Sequence, residues 1–355
     1  NVYTGIDNAT KKIDLLNAQQ WVEFSREALT NGRQTIPAVF NNPSQWADTD
    51  WQQQIFRTGS VQNYQLTASG GTEQTRFLVS GSYFNQEGVL KGTDFQRFNF
   101  RTNIDAQLTK RLKVGVNFAP SYATTREQPT AGPVNNTTLN GGPSVPAVIP
   151  AALLMPPIVP TQYANGDYGQ VSIDPGLRGT IISQVIFSPI AQLELYRDRG
   201  ETMRLLSNAF ADVSLLDGLT FRTNLGVETI NFRRNIYLPS TLATNNSPTS
   251  SVSNPNLRNI YAGQNNGQNY NWLWENTLTY ERTLNQHHTL SLLAGYAAQK
   301  NTYEGSNVNG RTGSFGNDLV PYVTNSIDIV GGAYKGASTL LSLFGRVNYG
   351  FKDRY

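Results

Sequence analysis

Apolar and polar residues alternate with a period of two along much of the chain, which is the spacing of side chains on one face of a β-strand. The clearest stretch is residues 98–108. One face of this stretch would carry Phe98, Phe100, Thr102, Ile104, Ala106 and Leu108, and the other would carry Asn99, Arg101, Asn103, Asp105 and Gln107. The pattern predicts a strand with an oily face and a polar, charged face.

Residues 112–118, 219–228 and 341–352 repeat this alternation. Their polar positions include Arg222, Asn224, Glu228 and Arg346. We count about ten candidate strands, and several reach the roughly 9–11 residues that a tilted strand needs to cross a bilayer. The pattern therefore favours a transmembrane antiparallel β-barrel segment.

The connections between candidate strands alternate in length. The short ones are residues 70–74, 109–111, 216–218 and 285–287, and the long ones are 87–93, 127–200, 239–267 and 304–337. Outer-membrane barrels have tight periplasmic turns and longer extracellular loops, whereas a soluble sandwich has no reason to sort its loops in this way. We expect all the short turns on one side of a membrane.

The long segments are rich in Pro, Gly, Asn and Ser, as in residues 130–146 and 244–255, which is typical of loops. They could be disordered linkers. The interspersed Ile158, Tyr163 and Tyr168 favour folded outer loops instead.

One helix is signalled near the start of the chain, before residue 33, and it would lie in the first outer loop. Asn17 can cap it, Gln20 occupies the reciprocal position of a capping box, and Gly32 follows the last turn. Leu16 and Trp21 can form a hydrophobic staple at its start.

Aromatic residues also lie near the ends of the predicted strands, where the amphipathic rings of Tyr and Trp favour a membrane interface. Tyr270, Trp272 and Trp274 would begin one strand and Tyr280 would close it. Tyr349 and Phe351 would lie near the end of another strand. Ordinary packing within a sheet explains any single one of these aromatic residues equally well, so only the whole set supports a membrane interface.

Composition narrows the function classes. Charged residues make up 15% of the chain, below the roughly 25% of soluble domains. A net charge of +3 with scattered basic residues argues against nucleic-acid binding. There is no cysteine, and the adjacent His287 and His288 would point to opposite faces of a strand, which makes them a poor metal chelate. We predict no catalytic residue, no metal and no cofactor.

Three segments carry a resemblance to a known family. They are KKIDLLNAQQWVEF from Lys11, TDWQQQIFRTGSVQNYQLTASGGTEQTRFLVSGSYFNQEGVLKGTDFQRFNFRTNIDAQLTKRLKVGVNF from Thr49, and the C-terminal LLSLFGRVNYGFKDRY. Together they resemble the SusC/RagA family of TonB-dependent outer-membrane transporters of Bacteroidota. The motifs are long and ungapped, and they span nearly the whole chain in the order of the family.

The resemblance implies a barrel of about 22 strands with a plug inside its lumen. Residues 1–355 would be one partial barrel domain of about ten strands, with the plug and the C-terminal strands absent. The family imports bulky nutrients, commonly oligosaccharides and sometimes peptides, across the outer membrane. Its implied partners are a SusD-like surface lipoprotein, TonB through the absent N-terminal region, and outer-membrane lipid.

The alternation assigns a set of polar residues to the lumen, where they would face substrate or plug: Asn99, Arg101, Asn103, Asp105, Arg222, Asn224, Glu228 and Arg346. A surface glycan-binding adhesin without transport is the main alternative function, but it does not explain the loop lengths or the oily faces. An outer-membrane enzyme is a weaker alternative, because it would need a His at the outer rim and our assignment puts His287 and His288 at a periplasmic turn.

Overall fold

Strands dominate the computed structural model, and most of them are far longer than the five or six residues usual in globular proteins. The model describes residues 1–130, 137–138, 144–145, 147–171, 177, 186–242, 260–284, 287–311 and 313–351. The strands are β1 Val2–Asp7, β2 Gly59–Gly71, β3 Thr75–Glu87, β4 Asp94–Thr109, β5 Leu112–Arg126, β6 Thr137–Thr138, β7 Ser144–Val145, β8 Arg197–Leu216, β9 Leu219–Leu238, β10 Tyr261–Leu284, β11 His288–Gly310 and β12 Ile329–Phe351. The helices are α1 Ala18–Asn31, α2 Trp51–Ile55, α3 Val148–Leu154 and α4 Pro189–Leu195, with 3₁₀ turns at Ala38–Asn41, Pro43–Gln45 and Val323–Asn325.

Ten of the described strands form one sheet in the order β1-β2-β3-β4-β5-β8-β9-β10-β11-β12. Every pairing in this sheet is antiparallel, and β6 and β7 form a separate two-stranded hairpin in the connection between β5 and β8. The predicted all-β class and strand number are confirmed.

The connections alternate in length as predicted. The short ones are residues 72–74, 110–111, 217–218 and 285–287, and the long ones are 8–58, 88–93, 127–196, 239–260 and 311–328. Successive connections of an antiparallel meander lie at opposite ends of the sheet, so all the short ones share one end, the turn end, and all the long ones share the other, the cap end.

Three predicted connections were too long. The connection 127–200 includes the first residues of β8, which begins at Arg197, and the other two extend further into the strands, because β10 already begins at Tyr261, β11 continues to Gly310 and β12 begins at Ile329. The predicted connections 239–267 and 304–337 therefore include paired strand residues, such as Asn265 opposite Asn307. Both faces of β10 and β11 are mainly polar or glycine there, and glycines interrupt the start of β12, which removes the period-two signal.

The register carries one apolar face across the sheet. Ile104 lies opposite Phe77 of β3 and Val116 of β5, and Val116 lies opposite Ala209 of β8. This face is not buried by any described part of the chain: Ile104, for example, is 44% exposed. A contiguous exposed apolar surface of this kind marks a contact with lipid or with another protein.

The apolar surface covers only the half of each long strand next to the turn end. On β8 the apolar surface includes Leu205 and Met203. The next two positions of the same face toward the cap end are the charged residues Glu201 and Arg199. The apolar part is about 10 residues long, which at a tilt of about 45° matches the roughly 25 Å apolar band of outer-membrane barrels. The cap-end halves of the strands extend beyond this band.

A row of aromatic side chains borders the apolar band on its cap-end side. Tyr64, Tyr83, Phe98 and Tyr122 are direct register partners on four adjacent strands. The rings of Tyr64 and Tyr83 are stacked with centroids 6.5 Å apart, and those of Tyr83 and Phe98 are 4.7 Å apart. Such a row fits the interfacial preference of aromatic side chains.

The aromatic residues predicted to lie at strand ends were only partly placed correctly. Tyr349 and Phe351 lie at the end of β12, as expected, next to the ring of His288. Tyr270, Trp272 and Trp274 do not begin a strand, because β10 starts at Tyr261 and places all three in its interior. Tyr280 does not close the strand, because β10 continues to Leu284.

The long connections 8–58 and 127–196 pack on each other at the cap end and form a hydrophobic core of their own, which we call the cap. Its fully buried side chains include Phe40, Trp51, Ile55 and Val148. The Trp51 indole N–H donates to the Pro156 carbonyl at 3.1 Å.

The predicted helix is confirmed as α1, whose start has the capping box of Asn17 and Gln20 and whose C-cap is Gly32. The expectation of folded loops is supported by Ile158, which is buried in the cap, and by Tyr168, which packs against Tyr196 and its neighbours. Most of residues 130–146 and 244–255 lie outside the described residues.

Candidate functional site on the polar face of the sheet

The residues predicted from the alternation to face a lumen all lie on the polar face of the sheet. Register partners define this face across the sheet. Asp105 of β4 lies opposite Gly115 of β5, Gly115 lies opposite Phe210 of β8, and Phe210 lies opposite Asn224 of β9. From Asn224 the face continues through Glu275 of β10 to β12. Positions two or four residues away along each strand share the face. It therefore also includes Asn99, Arg101, Asn103, Arg222, Glu228 and Arg346.

These residues share a face but do not form a single cluster. Asn99 to Asp105 lie on β4, while Arg222, Asn224 and Glu228 lie on β9, which is separated from β4 by β5 and β8. Arg346 lies on β12, at the edge of the sheet, opposite Leu293 of β11.

A row of amide side chains joins the middle of this face. The Asn117 amide donates to Asn208 at 3.5 Å, Asn208 donates to Asn224, and Asn224 donates to the Glu275 carboxylate at 3.3 Å. The row thus crosses four adjacent strands, from β5 to β10. Asn208 and Asn224 each accept one hydrogen bond and donate another, so the row fixes side-chain orientation across the sheet.

Several charged residues of this face form ion pairs between neighbouring strands. Arg222 contacts Asp212 at 2.7 Å, and its guanidinium lies 4.8 Å from the centroid of the Phe210 ring. Arg204 donates to Glu228 at 2.8 Å from Nε.

At the β4 side of the sheet the ion pairing is looser. Lys113 approaches Asp105 at 3.6 Å, and Arg101 donates to Asn103 at 3.3 Å. Asn99 donates to the Ser82 hydroxyl at 3.0 Å. Half-exposed pairs of this kind contribute less than about 1 kcal/mol each, so they balance charge more than they stabilise the sheet.

Several polar partners were absent from the predicted set. They are Asn117, Arg204, Asn208, Asp212 and Glu275. The same period-two pattern could have found Asn117, Arg204 and Asp212, since each of them has an apolar neighbour on both sides of it in its strand. Their partners could not be found in this way, because pairing depends on register.

Toward the cap end, a stretch of the polar face of β10, β11 and β12 has no charged residues and consists of Asn, Gly, Tyr and Ser. Twelve consecutive positions in four register rows form what we call the inner-wall patch: Asn265, Asn307, Gly332, Gly267, Gly305, Tyr334, Asn269, Tyr303, Gly336, Asn271, Asn301 and Ser338. Phe232 of β9 continues the row of Gly267 and Gly305. None of these side chains carries a charge.

The cap is attached to the polar face through Asp198 and Arg234. Arg234 donates from Nε to Asp198 Oδ1 at 2.7 Å, and it also contacts Glu127 at 2.9 Å. The Tyr196 hydroxyl donates to Asp198 at 3.1 Å. Burial, followed by the negative charge of Asp198, raises the pKa of Tyr196, so this hydroxyl stays protonated as a donor.

A second contact ties α4 to the neighbouring loop. The Tyr168 hydroxyl donates to the Glu194 carboxylate at 2.6 Å. This hydrogen bond raises the pKa of Tyr168 to about 12.

The described residues contain no group of three or more His, Asp or Glu side chains arranged to hold a metal ion. His287 lies in a turn and His288 begins β11, where its Nδ1 lies 2.5 Å from the Tyr349 hydroxyl. Across the residues whose structure is described, no helix is both long and apolar enough to span a membrane.

A wide antiparallel meander with an apolar band on one face, polar residues on the other and a folded cap at one end defines the class: this is the architecture of a wall segment of a large β-barrel. The chain matches relatives of that class over its full length. It is 29% identical over 365 residues to TonB-dependent receptor P3 of Formosa agariphila, an alignment covering 100% of this chain and 32% of the relative. It is 25% identical over 365 residues to TonB-dependent receptor SusC of Bacteroides thetaiotaomicron, covering 97% and 32%.

Among solved structures, the fold is similar to the RagAB peptide transporter with a TM-score of 0.73 and 18% identity, covering 99% of this chain and 40% of that chain. No protein-family model matches the chain. The resemblance to SusC/RagA-type TonB-dependent receptors is confirmed, and the chain spans about a third of the length of the curated relatives it matches.

Proposed function

We propose that this chain is part of the barrel wall of a TonB-dependent outer-membrane transporter that imports a bulky nutrient, an oligosaccharide or a peptide. The observation that carries the proposal is the division of the sheet into two faces. One face has an exposed apolar band of about bilayer thickness, and the other is polar and carries ion pairs between neighbouring strands. The apolar face contacts lipid and the polar face lines the lumen.

In this arrangement the turn end lies on the periplasmic side and the cap lies outside the cell. An antiparallel sheet of ten strands that did not close would leave unpaired backbone groups along β1 and β12. We therefore propose that residues 1–355 form one part of a larger, closed barrel of about 22 strands with a plug domain in its lumen.

The proposed partners follow from the relatives. Three TonB-dependent receptors of Formosa agariphila and SusC of Bacteroides thetaiotaomicron match the chain, which supports coupling to TonB and a SusD-like lipoprotein at the extracellular mouth. The cap, built from the connections 8–58 and 127–196, is the part of this chain that would meet such a lipoprotein. The protein acts as a transporter and not as an enzyme.

The polar-face residues act by facing the plug or the passing substrate. Asn99, Arg101, Asn103, Asp105, Arg222, Asn224, Glu228 and Arg346 would line the lumen on this proposal. Arg222 and Glu228 already have ionic partners on β8, so they serve to present a polar, charge-balanced wall. Arg101 and Arg346 have no carboxylate partner within the described part of the chain, and they can bind a carboxylate of plug or substrate.

Two adjacent residues of β8 allow a sharp test in the full-length protein. Asn208→Trp puts a bulky ring on the polar face in the middle of the amide row, whereas Ala209→Trp puts the same ring on the apolar face. We expect Asn208→Trp to reduce energy-dependent uptake of labelled oligosaccharides or peptides by cells, and Ala209→Trp to leave uptake near the wild-type level. Equal effects of the two variants would contradict the assignment of the faces.

The wild-type protein provides the second part of the test. We expect uptake that stops when the inner-membrane proton gradient is collapsed, and co-purification of a lipoprotein with the receptor. Ligand binding at the cell surface without any uptake would instead support a glycan-binding adhesin.

A further inference from the structure

The inner-wall patch is distinctive because its aromatic rings lie flat on glycine backbone. A Cβ atom at Gly305 would overlap the Tyr334 ring, one at Gly336 would overlap the Tyr303 ring, and one at Gly267 would overlap Phe232. Each pair is a direct register pair on neighbouring strands. Glycine is needed at these positions because any side chain would push the ring off the sheet.

Rings that lie flat on one side leave their other side open. Tyr303 is 47% exposed and Tyr334 is 59% exposed, and their ring centroids are 6.5 Å apart with the planes inclined by 46°. Phe232, at the other end of the row, is also exposed. The three rings therefore form a broad, shallow aromatic surface on the polar face.

Amide groups surround these rings. The side chains of Asn265, Asn269 and Asn307 have no hydrogen-bond partner among the described residues, and Asn301 Oδ1 is likewise without one there. An amide offers two donor hydrogens and one acceptor oxygen. The patch thus combines open ring faces with unused neutral donors and acceptors.

The charged residues nearest to the patch on the polar face are Arg234 and Glu228 of β9, which lie opposite Asn265 and Asn271 and are paired with Asp198 and Arg204. Within the segments of β10, β11 and β12 that form the patch, every charged residue lies on the opposite face. The same segments of β11 and β12 place Lys300, Glu304 and Lys335 on the opposite face, where Lys335 contacts Glu304 at 3.2 Å. A peptide with ionised side chains would find no unpaired countercharge in the patch or at the neighbouring positions of β9, and its charges would lose hydration without compensation. A neutral ligand with hydroxyl groups and apolar C–H faces would satisfy both the rings and the amides.

We propose that the inner-wall patch is a binding surface for neutral oligosaccharides, with Tyr303, Tyr334 and Phe232 stacking against sugar rings. The proposal rests on the proposed transport function, and it selects the uncharged oligosaccharide from the two substrate classes considered there. It also separates this chain from the peptide transporter whose fold it shares.

The test uses the full-length receptor, purified in detergent with any lipoprotein that remains bound. Binding is measured by fluorescence polarisation with labelled neutral fragments of α-glucan, β-glucan, xylan and mannan, with the uronate forms of these sugars, and with a library of mixed-sequence peptides. We expect at least one neutral fragment to bind more tightly than its uronate form and than the peptides.

Substitutions then locate the binding surface. Tyr303→Leu and Tyr334→Leu should each weaken binding of the neutral fragment about tenfold, since each removes a stacking ring worth roughly one factor of ten. Tyr303→Phe and Tyr334→Phe keep the ring and should stay within about twofold of wild type. The matched controls Tyr296→Leu on β11 and Tyr349→Leu on β12 change the apolar face of the same strands and should not alter binding.

Assembly of every variant is checked by the resistance of the folded barrel to detergent without heating, so that loss of binding is separated from loss of folding. Preferential binding of peptides, or leucine variants that assemble and bind like wild type, would overturn the proposal, because the rings would then pack against another part of the receptor. Energy-dependent uptake of peptides by the wild type would overturn this inference alone. Absence of any uptake would count against the transport function itself.

Discussion

Asp198 and Arg234 form a two-contact ion pair at the place where the longest connection rejoins the sheet. Nε and Nη2 of Arg234 lie 2.7 and 2.6 Å from the two carboxylate oxygens of Asp198, whose side chain is almost fully buried. Tyr196 and Glu127 complete the cluster. Because α4 ends immediately before this pair, the pair fixes the orientation of the cap relative to the strands.

Replacing Asp198 should therefore loosen the cap. Asp198→Asn keeps the size of the side chain but removes the charge opposite Arg234, and we expect a loss of about 1.5–3 kcal/mol of local stability. Limited proteolysis of the connection 127–196 and hydrogen exchange of α4 would detect it. Glu127→Gln is the control: Glu127 is more exposed, so this change should cost less than about 1 kcal/mol. Equal effects of both variants would contradict an anchoring role for Asp198.

Trp51 should be the most sensitive position of the cap core. It is 2% exposed and bonds the Pro156 carbonyl, so it joins the connection 8–58 to the connection 127–196. Trp51→Ala should destabilise the cap by about 3–5 kcal/mol while the strands still assemble. Near-ultraviolet circular dichroism and hydrogen exchange of α1 and α2 provide the measurement. Phe24→Ala, at a 66% exposed position of α1, should have little effect, and a comparable loss there would show that the cap core lies elsewhere.

Ile104 tests the contact of the apolar face with lipid. Ile104→Arg should destabilise the barrel by roughly 2–4 kcal/mol if the residue lies near the middle of the bilayer. Guanidinium unfolding of the full-length protein in phospholipid bilayers measures this loss. The neighbouring Asn103→Arg places the same charge on the polar face and should be nearly neutral. If Asn103→Arg destabilised the barrel more than Ile104→Arg, the assignment of the two faces of the sheet would be wrong.

Chemical labelling tests which side of the membrane each end of the sheet occupies. The chain has no cysteine, so single cysteines can be introduced in a full-length background free of other reactive thiols. Asp167→Cys, in the cap, should react with a membrane-impermeant maleimide on intact cells. Thr72→Cys, in the turn between β2 and β3, should react only after the outer membrane is opened. Equal labelling of both positions in intact cells would exclude this topology.

The sequence was most informative where local rules act alone. The alternation around Ile104 and Asn103 gave the two faces of β4, and the residues Asn17, Gln20 and Gly32 gave both ends of α1. These features depend on the pleat of one strand or on the capping groups of one helix. They can be read from neighbouring residues because the interactions that produce them are local.

The tertiary structure decided what distant residues do together. The extension of β10 back to Tyr261 was hidden because strands with two polar faces have no apolar period, and only pairing with β9 and β11 makes them strands. Trp51 and Pro156 are 105 positions apart, and Asp198 and Arg234 lie on different strands. Alternation fixes which face a side chain takes, but partners across strands follow from register and loop packing, and these depend on contacts made by the folded chain as a whole.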